Sequence, residues 1–222
     1  MERILNTLNR RIMLVSAALL LVAGAAACGS KTQSTGRSSI ERADDYALGK
    51  VDAPVTIIEY ASLTCPHCAT FHGTVFKEIK SRYIETGKVR FVFRQFPTAP
   101  ARLAVGGEAI ARCKGGVENY YAVLDLLFAK QRFWVASANP GQALRDLSAT
   151  VGITPDQFDA CVADRDNVTR IQEIGTHAQE TWGIAGTPSF IINGDLAKNM
   201  GTIDDFSAII DPIVAAATGG DE

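Results

Sequence analysis

Val55-Thr56-Ile57-Ile58-Glu59-Tyr60, followed at once by Ala61-Ser62-Leu63-Thr64-Cys65-Pro66-His67-Cys68, is the stretch from which the fold can be read. Apart from Glu59, its first six residues are β-branched or apolar at both alternating positions, the pattern of a central strand buried on both faces. Beyond the cysteines, Phe71, Val75, Ile79 and Tyr83 recur every four residues, with Lys77, Glu78, Lys80 and Arg82 between them. This spacing predicts an amphipathic helix, and Gly87 stands where it would stop. Val89, Phe91 and Phe93 then alternate with Arg90 and Arg94, a strand with one face toward a core. The two cysteines therefore fall at the strand-to-helix junction of a β-α-β unit.

Working outward, residues 101–182 contain no strand-like run and read as short helices punctuated by Gly115-Gly116, Asn139-Pro140-Gly141 and Gly152. Thr154-Pro155-Asp156-Gln157 has the form of a capping box with proline at the first helical position. Strand character resumes at Ser189-Phe190-Ile191-Ile192 and runs into Asn193-Gly194, a hairpin signal, with a partner strand expected around Leu196 to Met200. A capped helix from Thr202 to about Ala217 follows. The chain is of the α/β class, without internal repeats.

In the other direction, the folded part is expected to begin near Asp45 or Tyr46. Gly29 to about Arg42 is mostly Ser, Thr, Gly, Lys, Arg and Gln, too poor in apolar groups to offset the entropy of ordering, and reads as a flexible tether. Arg3, Arg10 and Arg11 precede an uncharged run from Ile12 to Ala27, the form of an export signal. A membrane span needs about 20 apolar residues, more than this run offers. Ala25-Ala26-Ala27 before Cys28 fits two readings, an ordinary cleavage site or a lipobox that would make Cys28 a lipid-bearing N-terminus. Arg10-Arg11 likewise fits a plain basic region or a twin-arginine signal. Export implies an oxidising destination, here the periplasm or cell envelope.

At 222 residues and 47% hydrophobic content the chain can bury a substantial core. A formal net charge of −2 gives no electrostatic footprint for nucleic acid.

The chemistry centres on Cys65 and Cys68. Unpaired N–H groups and peptide dipoles at a helix N-terminus stabilise a thiolate, and the first cysteine of a Cys-x-x-Cys pair occupies that position. The offset also brings the second sulfur within bonding reach. Zinc would need two more clustered ligands, and the chain has three histidines and no second Cys-x-x-Cys. His72 and His177 are assigned no role.

Cys65-Pro66-His67-Cys68 after a buried strand, a long helical stretch, and Gly186-Thr187-Pro188 before another strand together resemble the DsbA family of exported bacterial thiol-disulfide oxidoreductases, from about Asp45 to the end. The resemblance implies a thioredoxin fold interrupted by a helical domain. Together with the signal, tether and helical stretch read above, it divides the chain into a signal peptide (1–27), a tether (28–44), thioredoxin-fold parts at 45–100 and 183–222, and an inserted helical domain (101–182). It further implies that Cys65 is the exposed nucleophile, Cys68 its buried partner, Pro188 a cis-proline beside them, and Thr187 a backbone contact for extended substrate. Glu59 matches a buried acid that helps move protons, and an acid inside an apolar strand is costly without a task or a partner.

Pro66-His67 points to an oxidising poise. Among such enzymes a nucleophile pKa of ~3.5 rather than ~7 stabilises the reduced form by ~4.8 kcal/mol, equivalent to ~100 mV. His67 is expected to hold the Cys65 thiolate through its ring and backbone N–H. With Cys65 and Cys68 paired and Cys28 lipidated, Cys113 and Cys161 remain, either as a structural disulfide, the pairing expected, or as buried thiols. The expected function is donation of a disulfide to exported proteins with reduced cysteines, by a monomer without cofactor that a membrane quinone-linked oxidase reoxidises. The alternatives are a disulfide isomerase or reductase and, from another class, a copper-binding chaperone. Such chaperones typically separate their cysteines by three residues.

Overall fold

The computed structural model describes residues 38–218. The signal segment, Cys28 and most of the expected tether lie outside them. The chain forms strands β1 (Ala47–Leu48) and β2 (Val55–Ala61), helices α1 (Pro66–Gly73) and α2 (Val75–Ile79), a π-helical turn (Lys80–Ile84), and β3 (Val89–Gln95). Helices α3 (Ala101–Arg112), α4 (Val117–Ala129), α5 (Gln131–Val135), α6 (Pro140–Thr150), α7 (Pro155–Val162) and α8 (Arg165–Trp182) follow. The chain closes with β4 (Ser189–Ile192), β5 (Asp195–Ala197) and α9 (Ile203–Thr218).

The sheet order is β1-β3-β2-β4-β5. β2 pairs in parallel with β3, Glu59 opposite Phe93, and antiparallel with β4, Glu59 opposite Phe190. Every residue of β2 is buried, as its two-faced apolar pattern requires. Val55, Ile57 and Ala61 join a core with α1, α2, α9 and the helices after β3, whereas Ile58 and Tyr60 pack on the other face with Val92 and with Ile174 and Ala178 of α8. Glu59 shares the parity of Ile57 and Ala61 and so belongs to the α1 side.

The helix expected from Phe71 to Tyr83 is broken. α1 ends at Gly73, Thr74 departs from helical geometry (φ −127°, ψ −85°), and the last turn widens, with Glu85 N–H bonded to Lys80 O at 2.9 Å. A strict four-residue repeat drifts around an ideal helix of 3.6 residues per turn; the break and the wider turn keep Phe71, Val75, Ile79 and Tyr83 buried in one core.

Helices α3 to α7 share that core, since Ile110, Tyr120, Leu124 and Phe158 pack in one cluster with Ile57 and Phe91, whereas α8 covers the other face with Ile174 and Ala178. The segment expected as an insertion, 101–182, runs between β3 and β4 and covers both faces of the sheet. At Gly107 of α3 a Cβ would stand 2.9 Å from Leu63 Cδ1, so glycine lets α3 approach the loop before Cys65. Thr154 and Gln157 make the reciprocal capping box at α7. Asn193 (φ +49°) and Gly194 (φ +98°) turn the β4–β5 hairpin. β5 stops at Ala197, short of the expected Met200, with Asn199 in the left-handed region at φ +59°.

The assignment of residues up to 44 to the tether is corrected at its end. Glu41 accepts from Arg90 Nε at 2.7 Å and Ile40 packs on the core cluster of Tyr60 and Val92. Buried Arg94 of β3 reaches Asp45 at 2.7 Å, Ile40 O at 2.8 Å and Tyr60 Oη at 2.8 Å. Ordering therefore begins before Asp45, because charged groups on this polar stretch answer the two arginines that β3 presents. β1 was not anticipated: two residues carry no periodicity, and pairing with β3 alone makes them a strand.

Candidate active site

Cys65 is the N-cap of α1, in extended geometry at φ −81° and ψ 120°, and Pro66 takes the first helical position, where a missing N–H costs nothing. The preceding loop is held by a buried polar set. Ser62 Oγ accepts from Thr64 N–H at 3.3 Å and Thr98 N–H at 3.1 Å, Gln95 Oε1 accepts from Leu63 N–H at 3.3 Å, and Thr64 Oγ donates to Thr98 O at 3.1 Å. Cys65 N–H closes the turn on Ser62 O at 3.0 Å.

The sulfurs differ by burial and by what faces them. Cys65 retains 7% exposure and Cys68 none, so the expected exposed nucleophile is largely covered yet remains the accessible sulfur of the pair. Both are free thiols in this structure. The Cys65 thiol is drawn down to about 5, first by the hydrogen bond from Cys68, against the cost of burial, then by Thr187 and the backbone N–H groups of Cys68 and His67. Burial pushes the Cys68 thiol far up, reinforced by its hydrogen bond to Cys65 and by the charge of Glu59. His67 thus acts through its backbone N–H, while its side chain is exposed beside Pro66. One sulfur is built to carry charge and the other to keep a proton.

The Thr187–Pro188 peptide is cis, and Cys65 Sγ donates to Thr187 O at 3.5 Å, joining the two motifs across 122 residues. The Thr187 hydroxyl is buried and has no hydrogen-bond partner among the described residues. Glu59 is fully buried, and its Oε2 lies 2.8 Å from His72 Nε2. Cys113 and Cys161 form a disulfide (Cα–Cα 5.6 Å) that joins the end of α3 to α7, away from the site.

Two side chains that contact the site escaped the sequence reading. His72 pairs with Glu59; the available signal was its place one turn after Cys68 on the same helix face. Gln131 of α5 donates from Nε2 to Leu63 O at 3.0 Å and Cys65 O at 2.9 Å, tying the insertion to the redox loop. Nothing local to Gln131 announces that contact. His177 lies apart, bonded to Thr181 at 2.7 Å on exposed surface. Among the described residues there is no cluster of three or more His, Cys, Asp or Glu able to hold a metal, and no helix is long and apolar enough to cross a membrane.

Comparison with known proteins bears on this geometry. The thioredoxin family model matches residues 41–212. A putative protein-disulfide oxidoreductase of Rickettsia bellii is 34% identical over 172 residues, covering 77% of this chain and 65% of the relative. The chain thus spans slightly less than two thirds of that relative's length. Disulfide bond formation protein D of Bacillus subtilis is 29% identical over 172 residues, covering 74% of each chain. Among solved structures, alpha-DsbA1 of Wolbachia pipientis superposes with a TM-score of 0.75 at 28% identity, covering 82% of this chain and 96% of that one.

Proposed function

The chain belongs to the thioredoxin family and is DsbA-like within it, and from that premise we propose that it is an exported protein thiol-disulfide oxidoreductase that donates the Cys65–Cys68 disulfide to other exported proteins. The observation that carries the reading is the asymmetry of the two sulfurs, Cys65 drawn down to about 5 at a helix N-terminus and Cys68 buried and pushed up.

A substrate thiolate attacks Cys65 Sγ, the Cys65–Cys68 bond breaks, and its electron pair leaves on Cys68, which is protonated. A second substrate thiolate attacks the substrate sulfur of the mixed disulfide and expels Cys65. A thiolate of low pKa is a good leaving group, so this step is fast and the substrate departs oxidised. Thr187 and cis-Pro188 border Cys65 and offer backbone groups to an extended substrate segment. Within the same proposal, residues 1–27 direct export to the periplasm or envelope, Cys28 anchors the chain if lipidated, and the monomer is reoxidised by a membrane quinone-linked partner.

The test is to mix oxidised protein with a reduced peptide containing two cysteines and follow disulfide transfer, with Cys65→Ser as the control. Absence of transfer refutes the reading. Thiol trapping in the native cell then sets direction: a mostly oxidised pair supports the donor, a mostly reduced pair an isomerase or reductase.

A further inference from the structure

Cys68 is fully buried, so when it leaves as a thiolate its proton must come through protein groups. Glu59 is equally buried on the same side of β2 as α1, and its charge acts on Cys68. A carboxyl sealed in an apolar core can give up a proton once, and then needs a path by which to regain it.

His72 supplies that path in its geometry. It lies one turn beyond Cys68 on the buried face of α1, with Nε2 at 2.8 Å from Glu59 Oε2. Its ring stacks on Phe128 with centroids 4.1 Å apart and planes 15° apart, and meets Phe71, Phe76 and Phe93 on other sides. These rings leave the side chain 2% exposed, and His72 is part of the wall of a cleft of about 400 Å³ with Ala69, Gly73, Phe76 and Phe128. Two buried atoms of the pair, Glu59 Oε1 and His72 Nδ1, have no hydrogen-bond partner among the described residues. Each partner thus keeps one atom with hydrogen-bonding capacity to spare.

We propose that His72 is a positioning and relay residue, linking the Glu59 carboxyl, and through it the Cys68 sulfur, to water in the cleft between α1, α2 and α4. This rests on the disulfide-exchange reading above. When substrate sulfur bonds to Cys65 and the disulfide electron pair leaves on Cys68, Glu59 gives Cys68 its proton. Nδ1 is buried in this structure, so the relay requires water to enter from the cleft: His72 then takes a proton at Nδ1, the hydroxide returns to the cleft, and the imidazolium faces the new carboxylate through Nε2. The pair ends with as many protons as it began, and water has supplied the one Cys68 gained. The other groups facing the relay are Cys68 on α1, Lys77 of α2, Lys80 of the π turn and Asp125 of α4 around the cleft, and Tyr121, whose hydroxyl donates to backbone carbonyls and accepts from Phe93 N–H.

The experiment compares wild type and His72→Gln in the full chain. Glutamine can still hydrogen-bond to Glu59 but cannot relay a proton. Single-turnover oxidation of a dithiol peptide is followed from about pH 5 to about pH 9, beside alkylation of Cys65, which needs no proton at Cys68. The variant is expected to lose about tenfold in exchange rate near neutrality, a modest share of what positioned acid-base groups supply, and to change the pH profile, with alkylation altered less than about twofold. Matching exchange profiles overturn the relay. If the variant does not fold, the side-chain ¹⁵N signals of His72 in wild type replace it: they should differ between oxidised and reduced forms, and identical signals overturn the relay. Wild type that exchanges no dithiol overturns the underlying function instead.

Discussion

Raising the pH should stabilise the fold of the reduced protein, with Cys65 responsible for the slope. Its thiol is drawn from an ordinary 9.0 to about 5 in the folded state, against ~8.5 for an unfolded cysteine. The folded pKa is depressed, so the contribution is fully present above ~8.5, declines as pH falls, and vanishes below about 5. Between those limits it changes by ~1.36 kcal/mol per pH unit. At pH 7, two units above the folded value, the unscreened figure is ~2.7 kcal/mol. The sulfur has an open side, and solvent screening reduces this to about 1–2 kcal/mol. The oxidised protein has no titrating thiol at this position and lacks the slope. Denaturant unfolding of reduced wild type and reduced Cys65→Ser at about pH 5, 6, 7 and 8 reads the difference, with the ultraviolet thiolate absorbance as an independent titration. Parallel stability curves, or a thiolate midpoint near the unperturbed value, would refute the reasoning.

Other changes separate the parts of the site. Cys68→Ala removes the largest influence lowering Cys65 and should raise its titration midpoint by about one unit or more, whereas Cys68→Ser keeps a donor and most of the depression; equal midpoints in the two variants count against the thiol hydrogen bond. Gln131→Ala leaves the buried Leu63 carbonyl without its donor, and should cost about 1–3 kcal/mol in denaturant unfolding and slow peptide oxidation; unchanged stability would mean that the insertion does not brace the redox loop. Replacing Cys113 and Cys161 by alanine opens a loop with a sequence separation of 48, worth about 4 kcal/mol in the chain-entropy picture. A lowered Tm with an unmoved Cys65 titration is expected, and a shifted titration would couple the distant disulfide to the site.

Much of the site could be read locally because its parts are local. The buried strand, the helix start and the cysteine offset lie in one run from Val55 to Cys68, and short-range rules place the first sulfur at the N-cap. Glu59 stood out as an acid in an apolar strand. His72 did not, because which residue of α1 meets Glu59 depends on how that helix rotates over the sheet. The break at Thr74 is similarly invisible: each residue of Phe71 to Tyr83 suits a helix, and the mismatch between a four-residue repeat and 3.6 per turn matters only against a fixed core.

By itself, the sequence determined the strand-helix-strand core, the placement of the cysteine pair at the helix start, the α7 capping box and the β4–β5 hairpin, all decided within a few bonds of the residues concerned. Tertiary structure alone decided that β3 arginines would pin residues 40–45, that Gln131 would brace the carbonyls around Cys65, and that Thr187 would meet a sulfur 122 residues away. Those contacts depend on the packing of whole layers, because hydrogen bonds and buried charges act over a few ångströms in space and are indifferent to separation along the chain.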